Sequence, residues 1–131
     1  MDHLREYLPK DKHDFESVAV LKGLEREKIT ELIPNLLEWL RDMNWPIAAE
    51  IARLLLRYPE EVIPHLWMVL RSGDEIWKYW CLEYLVGELP RIHFLVFKEE
   101  LERIANQPTR GEELEEVHSA ARRVLEFFGT N

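Results

Sequence analysis

Proton-transfer chemistry in this chain would have to come from carboxylates. Asp42, Glu50 and Glu83, with Arg53 nearby in sequence, are groups that could exchange a proton or steady a charge. The same combination is common as a plain ion-pair network. Lys12, His13, Asp14 and Glu16 bring an imidazole together with carboxylates, as a general base or metal site would require. No second ligand set accompanies them, and Asp14 equally suits a helix N-cap. His3, His13, His65, His93 and His118 are scattered singly. No histidine pair brackets a glutamate at helical spacing, and there is no glycine-rich phosphate loop or serine elbow. Cys81 stands between Trp80 and Leu82 in the most apolar stretch, where burial would raise its pKa and blunt its reactivity. The sequence therefore assigns no catalytic residue, metal site or cofactor, and a small-molecule enzyme would have to rest on carboxylates alone.

Binding chemistry is better represented. Trp39, Trp45, Trp67, Trp77 and Trp80 all fall in the middle of the chain with Tyr58, Tyr79 and Tyr84. Tryptophan and tyrosine beside arginine make binding hot spots when exposed, and simple core filling when not. Trp45 is the expected exception to core filling, because it sits in a turn.

The elements that would position these residues follow from hydrophobic spacing. Residues 31–58 and 61–88 align without gaps at an offset of thirty. Glu31, Ile33, Pro34, Leu36, Leu40, Arg41 and Leu55 meet Glu61, Ile63, Pro64, Leu66, Leu70, Arg71 and Leu85, which marks a repeat. Each copy reads as a helical hairpin. In the first, Ile33, Leu36, Leu37 and Leu40 form one stripe and Ile47, Ile51, Leu54 and Leu55 another, with Asn44 as the cap between them. In the second, Asp74 caps a helix that is apolar almost all round. An N-terminal helix is expected over about 14–22, with Phe15, Val18, Ala19 and Leu21 inward. A helix pair is expected over about 92–128, the first carrying Phe94, Phe97, Leu101 and Ile104 and the second, from Glu112, carrying Leu114, Val117, Ala121, Val124, Leu125 and Phe128. Glu99, Glu100, Glu102, Glu112, Glu113, Glu115 and Glu116 would surround the intervening loop as a solvated acidic elbow. No stretch alternates with the period of a strand.

The sequence thus points to an all-α fold, a short HEAT-like α-solenoid of stacked antiparallel hairpins forming a single repeat domain over 1–131. The thirty-residue period is shorter than the usual HEAT length, so that resemblance is architectural. A closer resemblance lies in PKDKHDFE (9–16), EWLRDMNWP (38–46), IWKYWCLEYL (76–85) and EELERIANQPT (99–109), which are similar to the bacterial family known as domain of unknown function 5071. That resemblance covers nearly the whole chain and implies no established activity.

In stacked hairpins the second helices line the inner surface, which would bring Trp45, Glu50, Arg53, Arg57, Trp77, Lys78 and Glu83 together as the candidate binding site. Arg53 and Arg57 would then face Asp74, Glu75 or Glu83. The net charge of −8 disfavours a phosphate-backbone partner, so no nucleic acid is expected. No apolar run is long enough to cross a bilayer, and the start of the chain lacks a signal-peptide pattern, so no membrane and a reducing, cytoplasmic location are expected. The function expected is a protein- or peptide-interaction module. The alternatives are an acidic, immunity-type inhibitor of a basic toxin or nuclease, and the carboxylate enzyme. Partner identity and oligomeric state are not written in the sequence.

Overall fold

A computed structural model describes residues 2–129, with side chains from residue 3. Among the described residues every regular element is helical and no strand occurs. No described helix is long and apolar enough to cross a membrane. The chain divides into two compact units, Met1–His65 and Leu66–Asn131.

In the first unit a 3-10 turn, Asp2–Tyr7, precedes α1 (Phe15–Lys22). Asp14 caps α1 as its position predicts: its carboxylate accepts the Ser17 N–H at 3.0 Å, the Ser17 hydroxyl at 2.7 Å and the Lys10 N–H at 2.8 Å. The Lys10 and Ser17 N–H groups hold its pKa below the ordinary carboxylate value. Val18 and Leu21 are buried, but Phe15 and Ala19, expected inward, are exposed. A two-turn helix packed on one side has room for only one short stripe.

α2 (Arg26–Leu37) buries Ile29, Leu32, Ile33, Leu36 and Leu37. Pro34 lies inside it, exposed, and the helix tightens into a 3-10 turn at Glu38–Arg41. A proline within a helix removes one hydrogen bond, a loss best tolerated on the solvent side. α3 (Ala48–Leu55) buries Ala48, Ile51, Ala52, Leu54 and Leu55. Asn44 does not cap it: Ile47 holds the cap position, and no side chain closes the helix end. Asp42 organises the connector instead, its carboxylate accepting the Asn44 N–H at 2.9 Å and its carbonyl the Trp45 N–H at 3.0 Å. Trp45, Pro46 and Ile47 complete a turn before α3 begins, so Asn44 stands too early in the chain to reach the first helical N–H groups. Trp45 is nevertheless pinned, its ring meeting Trp39 edge-on at 5.4 Å.

α4 (Pro59–Leu70) begins on proline, whose fixed φ is already helical, and its first turns belong to the first unit. There Glu61 pairs with Arg26, whose guanidinium lies 5.0 Å from the ring centre of buried Tyr58. Its later turns belong to the second unit, where Trp67 packs on Phe97 at 5.2 Å.

α5 (Glu75–Tyr84) is capped by Asp74, which accepts the Trp77 N–H at 3.1 Å. The helix expected over 92–106 is broken into α6 (Arg91–Phe94), a 3-10 turn Leu95–Phe97, and α7 (Lys98–Asn106). Phe94, Phe97, Leu101 and Ile104 are all buried despite the breaks. The last helix is also divided, into α8 (Arg110–Leu114) and α9 (Val117–Phe127), separated by Glu115 and Glu116. α9 packs on both α5 and α7. Val117, Ala121, Val124 and Leu125 are buried as the spacing predicts. Leu114, expected on the same stripe, is 66% exposed, because the break turns α8 off the α9 register. Phe128 is half-buried, its ring stacked on Phe94 at 4.1 Å.

The repeat is visible in burial. Leu32 and Val62, Leu36 and Leu66, Leu40 and Leu70, Ile51 and Cys81, and Leu55 and Leu85 are equivalent at the thirty-residue offset and buried in both copies.

Candidate functional site

Of the residues that sequence spacing grouped as a binding surface, Trp45, Glu50, Arg53 and Arg57 belong to the first unit and Trp77, Lys78 and Glu83 to the second. Glu50 accepts from Arg53 at 2.6 Å and from Lys22 at 3.0 Å, and these hydrogen bonds, Arg53 first, hold its pKa below the ordinary value. Arg53 is thus paired within its own helix. Arg57 is exposed, 5.9 Å from the Tyr58 ring centre. Glu83 pairs with Arg123, which also donates to the Tyr79 hydroxyl at 3.2 Å. Each of these arrangements spends its charge inside the chain.

Lys78 is not on an accessible surface at all: it is 4% exposed. Its Nζ donates to Glu112 at 2.7 Å and lies 2.9 Å from Glu75. Glu112, on α8, is 1% exposed, and it also accepts from two guanidinium nitrogens of Arg103, at 3.1 and 2.7 Å. Arg103 bonds in turn to Glu100 at 3.0 Å. Glu112 further accepts the Thr109 N–H at 2.8 Å while its own N–H donates to the Thr109 hydroxyl at 3.1 Å, closing a capping box. Burial pushes the Glu112 carboxyl upward, but bonds from Arg103, Lys78 and the Thr109 N–H outweigh it and bring the pKa to about 2. A carboxylate so firmly ionised and enclosed does not serve as a general acid; it ties α8 to α5 and α7. The acidic elbow expected to be wholly solvated therefore has one buried member. A readable signal existed, since Thr109 and Glu112 have capping-box spacing and Lys78 interrupts an otherwise apolar helix.

Cys81 is fully buried, and desolvation raises its thiol pKa. Among the described residues no group of three histidine, cysteine or acidic side chains is placed to hold a metal.

With α8 fixed by this clamp and α9 leaving at an angle, a groove opens between α5 and the α8–α9 elbow. It has a volume of about 400 Å³ and is lined by Ile76, Tyr79, Trp80, Leu114, Glu115 and Glu116. Ile76 is 50% exposed and Leu114 66%. Trp80 is braced edge-on by Tyr79 at 5.1 Å and by the tilted ring of Tyr84 at 5.9 Å. Glu115 and Glu116 have no ion-pair partner among the described residues, and Glu116 adopts a left-handed backbone, φ 61° and ψ 27°. Sequence spacing gave this groove no marker, because the break that creates it contains neither glycine, proline nor asparagine. A second hollow, of about 370 Å³, lies in the first unit beside Glu6, Tyr7, Lys10, Glu16, Ser17 and Val20. Its lysine is already donating to the Glu6 carbonyl at 2.9 Å.

No curated protein matches the chain. The family model described as Domain of unknown function (DUF5071) matches residues 7–125, and the chain belongs to that family.

Proposed function

We propose that this protein is a small interaction module that seats a segment of a protein partner in the groove between α5 and the α8–α9 elbow. The observation that carries this reading is the exposure of Ile76 and Leu114 beside braced Trp80. Apolar and aromatic side chains gathered in an open depression, held on a rigid frame, are what a partner's anchor residue requires. α5 was among the second helices to which the sequence pointed, although the side chains that line the groove are Ile76, Tyr79 and Trp80 in place of Trp77, Lys78 and Glu83. The thirty-residue repeat supports a HEAT-like reading of the hairpins, and a lone buried cysteine suits a reducing, cytoplasmic setting.

A photo-crosslinking amino acid at Ile76 tests the proposal in living cells. Discrete adducts are expected, lost when Leu114→Asp is added. The absence of adducts, or the same adducts from a probe at Glu27 on exposed α2 surface, would overturn it. A second reading, an acidic inhibitor of a basic protein, draws support from Glu113, Glu115 and Glu116, which are exposed and carry no ion pair among the described residues.

A further inference from the structure

We infer that the occupant of the groove is a cationic segment of a partner protein, presenting one bulky apolar side chain flanked by lysine or arginine. This rests on the groove being the interface and adds to it the chemistry of the partner. The floor is apolar, made by Ile76, Trp80 and Leu114, whereas the elbow side is lined by Glu115 and Glu116. Some acidic side chains of the surface are matched within the chain: Glu50 by Lys22 and Arg53, Glu61 by Arg26, Glu83 by Arg123, and Glu102 by Lys98. Glu115 and Glu116 are not matched in this way among the described residues, and they are the two carboxylates that line the groove.

Those two carboxylates discriminate among ligands. A neutral segment covering them would strip their hydration without replacing it, and an acidic one would add repulsion. A cation returns both the charge and the hydrogen bonds. A free small cation would use the rim and leave the apolar floor uncovered, so the apolar anchor belongs to the proposal.

The test uses the full chain and synthetic peptides: a leucine flanked by arginines, the same peptide with glutamines, the same with glutamates, and spermidine as a free cation. Binding is followed by amide chemical shifts at low and high salt. The arginine peptide is expected to shift the amides of Ile76, Trp80, Leu114, Glu115 and Glu116, and to bind about tenfold more tightly than the glutamine peptide at low salt, as two rim ion pairs of ordinary strength would give. The glutamate peptide should not bind. Glu115→Gln with Glu116→Gln should remove the arginine advantage and its salt dependence while leaving the thermal melt in place. Leu114→Ala should weaken arginine and glutamine peptides alike. Equal binding of all three peptides at these amides would overturn the cationic inference and leave the groove as the interface. Spermidine binding as tightly as the arginine peptide would overturn the apolar anchor. Shifts elsewhere, or none, would overturn the proposed occupant, and the crosslinking experiment would still decide the groove.

Discussion

Where the first hairpin of the repeat places Ala48, the second places Lys78, and both positions are buried. Ala48 needs nothing but van der Waals contact. Lys78 needs an anion, and finds it in Glu112 on α8. Two other exchanges on the same pair of helices change what they present. Glu50, salt-bridged on α3, is equivalent to Trp80, which lines the groove, and buried Leu54 is equivalent to exposed Tyr84. A shared apolar register sets the hairpin, while a few departures decide what each copy attaches to. In the second copy a buried lysine holds a later helix in place, and the aromatic face beside it is left open.

The largest expected effect breaks that attachment. Glu112→Gln removes the buried anion and leaves Lys78 and Arg103 short of a partner, which should destabilise the protein by about 3 to 5 kcal/mol. Urea denaturation with an unchanged slope is the measurement. Lys78→Met in the Glu112→Gln background should recover part of the loss, since the enclosed charge is then gone. A loss below about 1 kcal/mol for Glu112→Gln would mean that the ion pair is not what separates the two hairpins.

The same group gives a pH dependence of known sign. Its folded pKa of about 2 lies below the ordinary 4.5, so the unfolded chain binds the proton more readily. Stability from Glu112 is fully present above about pH 4.5 and is lost as the pH falls through about 2, to an extent on the order of 3 kcal/mol. Asp14, Glu50 and Glu61 are also held below their ordinary values and will contribute to the acid slope. Chemical denaturation at a series of pH values should show a shallower acid limb in Glu112→Gln than in the parent. Identical limbs would place the acid sensitivity in the other three.

Helix starts sharpen the comparison on a smaller scale. α5 is closed by Asp74, whereas α3 has Ile47 at its cap position and no side-chain bond there. Asp74→Ala should lower stability by about 1 kcal/mol, and Asn44→Ala by less than about 0.5 kcal/mol. Equal losses would show that Asn44 supports the 42–47 connector through its side chain.

The helical class, the caps at Asp14 and Asp74 and the larger part of the buried positions of α2, α3, α7 and α9 were legible, because they depend on spacing within one helix, although Ile29, Leu32, Ala48, Ala52, Ala105 and Ala120 were not named. What escaped depends on partners distant in sequence. Glu112 looks solvated until Lys78, thirty-four positions earlier, is seen beside it. Leu114 looks inward until the chain breaks at Glu115 and Glu116, a break that no residue preference announces. The candidate site inherited both omissions. Spacing located α5 but selected Lys78 and Glu83, which are occupied by Glu112 and Arg123, and passed over the half-exposed Ile76 on the same helix.

The smallest effect concerns the elbow that makes the groove. Glu116 holds φ at 61°, where a side chain with a β-carbon is strained by roughly 1 kcal/mol and glycine is not. Glycine at that position also loosens the unfolded chain, so the relief is partly offset. Glu116→Gly should therefore leave stability within about 0.5 kcal/mol of the parent, or raise it slightly, while Glu116→Val should lower it by about 1 kcal/mol or more, because a β-branched residue tolerates this conformation least. Thermal melts of the two variants provide the comparison. A glycine variant that melts like the parent but loses the arginine-peptide preference would separate the two roles of position 116: the backbone turn, which glycine preserves, and the carboxylate on the rim, which it does not.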